Sequence, residues 1–358
     1  MTERKEINIP KERQFPDVFI KKNKLGSGTY GQVWLASRKS TNEELSVKQS
    51  KIKETDKTIT PSIFRELVII SEMNHPHIIR FSVNDVFLDL EHRTLSFAYE
   101  HGAVDVRKVV HYYSNKNKSG LKPIIAKSIL FQLLLALDYL HKRGVAHCDL
   151  TPSNLLLMPP TNEDYPGIVK LIDFGLSRAI EGSNLPRNFG VVTIWYRAPE
   201  LLLGNTKYDQ KIDIWAAGCI FAELLTGKVL FATKQKVQEK DPTEFNPHQL
   251  SKITEVLGPI QQSDFDLTYK YINCIEKSAN RDNRHCQLGN IITPGTYEFD
   301  LLSKMLKYNP SERISASEAL KHIYFADRPV PVINIAGKIP QNEWQELTQA
   351  AIKGDSVT

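Results

Sequence analysis

The sequence predicts an α+β, bilobal protein, in which a small β-rich lobe with one main helix precedes a larger, mainly helical lobe. Between about residues 20 and 100, short runs of β-branched and aromatic residues alternate with turn residues. From about residue 101 onward, apolar residues recur instead at the spacing of amphipathic helices. At 358 residues, the chain is long enough to bury both cores.

The strands of the small lobe are predicted to begin with a hairpin. Residues 25–36 contain a glycine-rich turn with β-forming residues on both sides, and residues 44–48 form the next short strand. Residues 81–83 and 95–97 are predicted as two further strands.

The main helix of the small lobe is predicted to start at Pro61, which suits the first helical position and follows Thr60, a suitable N-cap. The helix ends before Pro76, because the residue that precedes a proline avoids the helical region. Its apolar stripe consists of Ile63, Leu67 and Ile70.

The large lobe is expected to contain an apolar helix at residues 129–141, with Gly144 just beyond its end. This apolar stretch is interrupted by Gln132 and Asp138 and is too short to span a bilayer, so no membrane segment is expected. Further helices are predicted at residues 214–225, 301–306, 316–322 and 342–352.

The composition is that of a globular protein, with 41% hydrophobic and 24% charged residues. The net charge of +5 is small, and 41 acidic residues are interspersed with the basic ones, which does not favour direct nucleic-acid binding. None of the 4 cysteines forms a CxxC pair, so neither a zinc site nor a disulfide framework is indicated. Reduced thiols fit the cytoplasm or the nucleus.

The glycine-rich turn at residues 26–33 is the first candidate for phosphate binding. Gly26, Gly28 and Gly31 allow the backbone to approach phosphates without Cβ clashes. The same spacing also occurs in dinucleotide-binding folds, but these place a helix after the last glycine. The β-forming residues that follow favour a strand–turn–strand.

Charged and amide side chains further along the chain could complete a phosphoryl-transfer site. Lys48, on a predicted strand, could pair with phosphates, and Glu66, on the following helix, could hold that lysine. Asp149 could accept or orient a hydroxyl proton, while Asn154 and Asp173 supply the oxygen ligands that Mg²⁺ prefers.

The order of these motifs resembles that of eukaryotic serine/threonine protein kinases over residues 20–326. The glycine turn, Val47-Lys48, the loop at 147–154, Asp173-Phe174-Gly175 and Ala198-Pro199-Glu200 follow one another in the kinase order. Residues 61–66, 191–200 and 213–226 are similar to segments of cyclin-dependent kinases. Residues 158–167, 246–250 and 301–306 are most similar to the Mediator-associated, plant E-type subfamily.

The resemblance implies a division of the chain into three parts. Residues 1–19 would be an N-terminal extension and residues 327–358 a C-terminal tail. The kinase domain between them would comprise a small lobe at about 20–100 and a large lobe at about 101–326.

The resemblance also implies ATP and Mg²⁺ as cofactors and assigns roles to individual residues. Catalytic roles fall to Lys48, Glu66, Asp149 and Thr151, and metal binding to Asn154 and Asp173. The residues implied to bind the nucleotide, besides Lys48, are Leu25, Gly26, Ser27, Gly28, Thr29, Tyr30, Gly31 and Val33.

Partners and location are implied in the same way. A cyclin-like subunit would grip the helix at 61–70, and Thr193 with residues 195–197 would favour substrates that have proline after the phosphorylated Ser or Thr. The family further implies association with Mediator, a role in transcription and a nuclear location. A buried pair between Glu200 and Arg313 would support the large lobe.

Two residues depart from the family pattern. Cys148 replaces an arginine that, with partners matching Arg65 and Arg178, binds a phosphothreonine, and that threonine is itself replaced by Asn188. These changes predict activation by partner binding. Thr151 replaces a lysine that contacts the γ-phosphate. The alternative to an active kinase is therefore a weakly active or pseudocatalytic scaffold that binds a cyclin.

Overall fold

The computed structural model describes residues 14–28, 31–52, 61–160, 167–180, 194–233, 246–265, 269–274 and 286–352. Within these residues it has the predicted two lobes. The strands are β1 (Phe19–Gly28), β2 (Gly31–Arg38), β3 (Glu44–Lys51), β4 (Phe81–Asp89), β5 (Thr94–Glu100), β6 (Val104–Asp105), β7 (Val145–Ala146), β8 (Leu155–Leu157), β9 (Val169–Leu171) and β10 (Arg178–Ala179). The helices are α1 (Phe15–Val18), α2 (Pro61–Ser71), α3 (Val106–Asn117), α4 (Pro123–His141), α5 (Pro199–Leu202), α6 (Lys211–Thr226), α7 (Pro247–Leu257), α8 (Leu288–Ile291), α9 (Tyr297–Met305), α10 (Ala316–Ala319), α11 (Ile323–Ala326) and α12 (Gln341–Ile352).

The small lobe is an antiparallel sheet of five strands in the order β1-β2-β3-β5-β4, with α2 packed beside it. The hairpin β1–β2 and the strand at Glu44 confirm the sequence prediction. Strands β4 and β5 are longer than predicted, because polar residues alternate with the apolar ones at their ends. Helix α2 starts at Pro61 as predicted, while Thr60 lies outside the described residues.

The large lobe is built around α4 and α6, which pack against each other. Helix α4 begins at Pro123, six residues before the predicted start, since proline is favoured in the first turn. At 19 residues it is longer than the predicted stretch and reaches the length and apolar composition of a membrane span, a test that the mostly buried core helix of a globular protein also passes. Most of its apolar side chains are buried in the lobe, and Leu130, Leu134 and Leu137 are fully buried.

Short strands bring the catalytic segments together beneath the small lobe. Strands β6, β8 and β9 form one sheet and β7 pairs with β10. A parallel bridge between Ile78 and Leu171 joins the small lobe to β9. Residues 147–154 and 172–177 therefore lie side by side at the floor of the cleft between the lobes.

The segment after α11 returns along the large lobe and ends in α12, which confirms the helix predicted at 342–352. Its residues Ile335 and Ala336 are buried and hydrogen-bond through their amides to the carbonyl of Gly167. Helix α12 packs on α3 and reaches β1 and β6 at the edge of the cleft.

Candidate active site

A cavity of about 300 Å³ lies between the two lobes. Its roof is formed by β1 and β2, its back by β3 and α2, and its floor by Leu156 and Ile172. The connection at residues 100–105 closes the side where the lobes join. Cavities of this size, with polar groups at one end, are typical of small-ligand sites.

The polar end of the cavity is organised by Lys48. Its ammonium lies 3.0 and 2.8 Å from the two carboxylate oxygens of Glu66 and 3.3 Å from Oδ1 of Asp173. Strand β3 presents Lys48, α2 presents Glu66 and the segment after β9 presents Asp173. One lysine therefore ties together three elements from both lobes, and the predicted pairing of Lys48 with Glu66 is confirmed.

The charges of this cluster depend on one another. Burial alone would lower the pKa of Lys48, but the charges of Glu66 and Asp173 outweigh burial and raise it. Burial also opposes ionisation of Asp173, yet the Lys48 ammonium holds the pKa of Asp173 below its usual value. For Glu66, burial prevails and raises the pKa, while Lys48 acts in the opposite direction.

Tyr99 is a member of the cluster that sequence reasoning missed. Its hydroxyl donates a 2.8 Å hydrogen bond to Oε1 of Glu66, at the back of the cavity. Burial and the neighbouring carboxylate raise the pKa of Tyr99 well above its usual value, so that it remains a hydrogen-bond donor. The only signal in the sequence is an aromatic residue two positions beyond the strand predicted at 95–97, and such a residue usually serves packing.

The loop at 147–154 places Asp149 and Asn154 next to each other. The side-chain nitrogen Nδ2 of Asn154 donates to the backbone carbonyl of Asp149 at 2.8 Å and to the carboxylate of Asp149 at 3.3 Å. Burial, with the charge of Asp173, raises the pKa of Asp149 to about 7. The amide of Ile172 donates to the Asn154 carbonyl at 3.0 Å, which ties this loop to the segment of Asp173.

Asp213, on α6, supports the loop from below. Its carboxylate accepts the backbone amides of His147 and Cys148 at 2.8 and 2.9 Å and the side chain of His141 at 2.9 Å. Cys148 adopts a left-handed conformation with φ of 66°, which is uncommon for a residue with a Cβ. The buried carboxylate thus stabilises an otherwise unfavourable backbone.

Asn154 and Asp173 fit a magnesium ion. The side-chain nitrogen of Asn154 donates to Asp149, which leaves the side-chain oxygen Oδ1 of Asn154 as an available ligand, and the Asp173 side chain is 34% exposed. Among the described residues, no cluster of three or more His, Cys, Asp or Glu forms an all-protein metal site. Mg²⁺ characteristically uses one or two protein oxygens together with phosphates and water, which agrees with this arrangement.

Only some of the predicted nucleotide-binding residues line the cavity. Leu25, Gly26, Val33 and Lys48 line the cavity. Ser27, Gly28 and Gly31 lie at the β1–β2 turn, and Thr29 and Tyr30 fall outside the described residues.

Two glycines, one at the β1–β2 turn and one in the lining of the cavity, have a steric reason to be glycine. Gly31 has φ of 142°, and a Cβ there would lie 2.2 Å from the carbonyl oxygen of Gln49. Gly102, in the connection between the lobes, was missed by sequence reasoning, and a Cβ there would lie 2.2 Å from the side chain of Leu156. The close approach of this connection to Leu156 shapes the floor of the cavity.

The two residues that depart from the family pattern also have defined surroundings. Thr151 is 9% exposed and extended, immediately before the short 3-10 turn at Pro152–Asn154. Cys148 is partly buried, next to Arg197, in the wall of a small cavity. Asn188 and Thr193 lie outside the described residues.

The arginines that the resemblance associates with a phosphothreonine contact the backbone here. Arg65 donates to the carbonyl of Gly175 at 3.2 Å, and Arg178 donates to the carbonyls of Leu176 and Ser177 at 2.8 and 2.9 Å. These hydrogen bonds hold the segment that follows Asp173.

The predicted pair between Glu200 and Arg313 is confirmed. The guanidinium donates to both carboxylate oxygens at 2.8 and 3.1 Å, and both side chains are at most 1% exposed. Nearby, the hydroxyl of Tyr196 donates to Glu223 at 2.6 Å. These buried contacts anchor the stretch at 195–200 to the large lobe.

The sequence of this chain is similar to those of known proteins. The protein kinase domain family matches residues 19–325. Cyclin-dependent kinase E-1 of Arabidopsis thaliana is 37% identical over 321 residues, which cover 86% of this chain and 66% of that protein. Probable cyclin-dependent kinase 8 of Dictyostelium discoideum is 38% identical over 322 residues, with 88% and 82% covered. Serine/threonine-protein kinase ssn3 of Aspergillus fumigatus is 33% identical over 357 residues, with 91% and 82% covered.

The family match extends over most of the chain and includes every element that forms the cleft except α12, which lies beyond residue 325. This chain spans about two thirds (66%) of the length of the Arabidopsis relative and 82% of the other two. The chain therefore belongs to the protein kinase family and, within it, to the serine/threonine cyclin-dependent kinases of the Mediator-associated type.

Proposed function

We propose that this kinase transfers the γ-phosphate of MgATP to a serine or threonine followed by proline, and that a cyclin-like subunit activates it. The observation that carries the proposal is the placement of Lys48, which contacts both Glu66 and Asp173 across the cleft. This arrangement positions a cation where the phosphates of a nucleotide would enter from the cavity.

The residues of the cleft divide the work of transfer. Lys48 would bind the α- and β-phosphates, and Asn154 and Asp173 would hold Mg²⁺, which would supply neutralising charge to the phosphates. Asp149 orients the substrate hydroxyl and accepts its proton. The hydroxyl oxygen forms the new bond to the γ-phosphorus, the bond to the bridging oxygen breaks, and ADP leaves. Thr151 can offer only a neutral hydrogen bond, so we expect slow transfer.

Exposed apolar side chains on the outer face of α2 favour the binding of a protein partner there. Phe64 and Val68, one helical turn apart, are 61% and 43% exposed. Two large apolar side chains on one face favour a docking surface for the cyclin-like subunit. Because α2 also carries Glu66, a partner bound there would hold the Lys48–Glu66 pair in place.

Backbone contacts of the two arginines support activation without a phosphothreonine. Arg65 and Arg178 already hold the segment after Asp173 through its carbonyls. A phosphorylation-dependent increase in activity that maps to residues 184–192 would contradict this part of the proposal.

Association with Mediator, a role in transcription and a nuclear location are proposed from the family alone. Proline specificity is assigned to Thr193 and residues 195–197, with Arg197 lying against the wall that contains Asp149.

The test is radiolabelled phosphate transfer from MgATP to a Ser-Pro peptide, with and without a candidate cyclin, and with Asp173→Asn as the control. A matched Ser-Ala peptide measures proline specificity. We expect transfer that requires both Asp173 and the cyclin and that falls at least tenfold on the Ser-Ala peptide. Equal transfer with the Asp173→Asn variant would overturn the assignment of the site.

The partner surface has its own test. Phe64→Asp should abolish stimulation by the cyclin and leave the nucleotide affinity of the free chain unchanged. Ile333→Asp is the matched control, because Ile333 is 69% exposed on the other lobe. Full stimulation of the Phe64→Asp variant would place the partner elsewhere.

The alternative function is a scaffold that binds a cyclin and nucleotide but transfers little phosphate. Cys148 and Thr151 are the observations that favour it. Nucleotide binding in the presence of Mg²⁺, with no transfer above the Asp173→Asn control, would support this alternative.

A further inference from the structure

Helix α12 lies at the edge of the cavity between the lobes. It packs on α3 and β6 of the large lobe and on β1 of the small lobe, so it touches both the roof of the cleft and the side that residues 100–105 close. Ala351, near the end of the helix, lines the cavity together with Leu25 of β1 and Asp105 of β6.

Polar contacts fix α12 to α3. Glu343 accepts hydrogen bonds from the hydroxyl of Tyr113 at 2.6 Å and from the ammonium of Lys116 at 3.0 Å. One turn further, Glu346 accepts from the hydroxyl of Tyr112. Directly after Glu346, Leu347 is only 3% exposed and packs into the core of the large lobe. Helix α12 is therefore held in a fixed position at the edge of the cleft.

The segment that leads to α12 is held to α4 by hydrogen bonds. The side-chain amide of Gln132, on α4, donates to the carbonyls of Val332 and Ile333 at 3.0 and 2.8 Å. The ammonium of Lys127 donates to the carbonyl of Asp327 at 2.9 Å. These hydrogen bonds fix the path of the segment that leads to α12, and hence which residues of α12 face the cavity.

We propose that α12 forms an additional wall of the nucleotide site and that Ala351 contacts the nucleoside part of the bound ATP. The inference rests on the proposed binding of ATP in this cavity. Lys48 and Asp173 mark the phosphate end, whereas α12 approaches next to β6, which forms the end of the connection between the lobes. A side chain as small as alanine leaves room for the nucleoside there.

The test measures the affinity of the full chain for ATP, adenosine and inorganic triphosphate by isothermal titration calorimetry. Ala351→Trp should fill the space beside the nucleoside and weaken ATP and adenosine about tenfold or more, with little effect on triphosphate. Leu347→Asp, which places a charge in the buried contact with the large lobe, should weaken ATP severalfold by displacing α12.

Gln349→Ala is the matched control, because Gln349 is exposed on α12. Thermal unfolding verifies that each variant is folded, and Ala351→Trp retains the test if Leu347→Asp fails to fold, since Ala351 is only partly buried. A folded Ala351→Trp variant that binds ATP and adenosine like the wild type would overturn the inference. Absence of nucleotide binding by the wild type would instead overturn the proposed function, and this inference with it.

Discussion

The hydroxyl of Tyr99 donates to Oε1 of Glu66 at 2.8 Å, and the same oxygen accepts from Lys48 at 3.0 Å. Glu66 is thus held by a donor on the central sheet in addition to its charge partner. Because Tyr99 lies on β5 and Glu66 on α2, their hydrogen bond also fixes α2 against the sheet. The orientation of Lys48 therefore depends on a second donor to its partner Glu66, a residue from a different element of the small lobe.

Removing this hydroxyl should impair catalysis more than stability. A hydrogen bond to a charged group contributes about 1.5–3 kcal/mol, so Tyr99→Phe should lower kcat/KM for ATP by roughly tenfold or more. Steady-state kinetics measure the effect. Tyr297→Phe is the control, since Tyr297 is 45% exposed on α9. Unchanged kinetics would mean that Lys48 alone positions Glu66.

Restoring a cation at Thr151 should accelerate transfer. One electrostatic group that stabilises charge in the transition state is typically worth about 2–4 kcal/mol, so Thr151→Lys should raise turnover by at least tenfold. Thr151→Met is the matched control, because it adds length without charge. Single-turnover phosphate transfer separates the chemical step from product release. A lysine variant no faster than the methionine variant would show that the site has compensated elsewhere.

The buried pair between Glu200 and Arg313 should be required for stability. Glu200→Ala leaves a guanidinium that is fully buried without its carboxylate, which costs about 3–5 kcal/mol. We expect a corresponding decrease in the free energy of unfolding, measured with urea. The double variant Glu200→Met, Arg313→Met should lose much less free energy of unfolding than the sum of the losses in the single variants Glu200→Met and Arg313→Met, because the double variant leaves neither charge unpaired. Additive losses would contradict strong coupling between the two residues.

Asp213 should stabilise the catalytic loop in a pH-dependent manner. Burial opposes its ionisation, but the hydrogen bond and charge of His141 outweigh burial and hold the pKa of Asp213 below its usual value of 3.8. A carboxylate with a lowered folded-state pKa contributes stability that is complete above the unfolded-state pKa and is lost as the pH falls from there through the folded-state pKa. Asp213→Asn should therefore cost about 2–3 kcal/mol at neutral pH.

Thermal unfolding of wild type and Asp213→Asn between pH 7 and pH 3.5 checks this expectation. The difference in Tm should be constant above about pH 4 and should shrink below it. Glu72→Gln, an exposed change, controls for the general effect of acid on the protein. A difference that already declines between pH 7 and pH 5 would contradict the lowered pKa of Asp213.

Much of the fold could be predicted from local patterns. The hairpin at residues 25–36, the start of α2 at Pro61 and the helix at 342–352 follow from turn residues, proline and apolar spacing. Boundaries were less accurate where signals were weak, as in α4, whose first turn precedes the apolar stretch by six residues.

The sequence by itself determined the chemistry that this protein carries. Lys48, Glu66, Asp149, Asn154 and Asp173 stand in local motifs whose order along the chain is informative, because each motif must supply one part of a phosphoryl-transfer site. The pair between Glu200 and Arg313 came from the family resemblance, since no local pattern joins two residues 113 positions apart.

Only the tertiary structure decided how the cleft is completed. Tyr99 meets Glu66 across 33 residues of sequence, and Ala351 reaches a cavity whose roof begins at Leu25. Such contacts carry no local signature, since an aromatic residue on a strand or an alanine on a helix is usually a packing residue. Packing between distant elements, rather than the residues' own propensities, brings these side chains to the site.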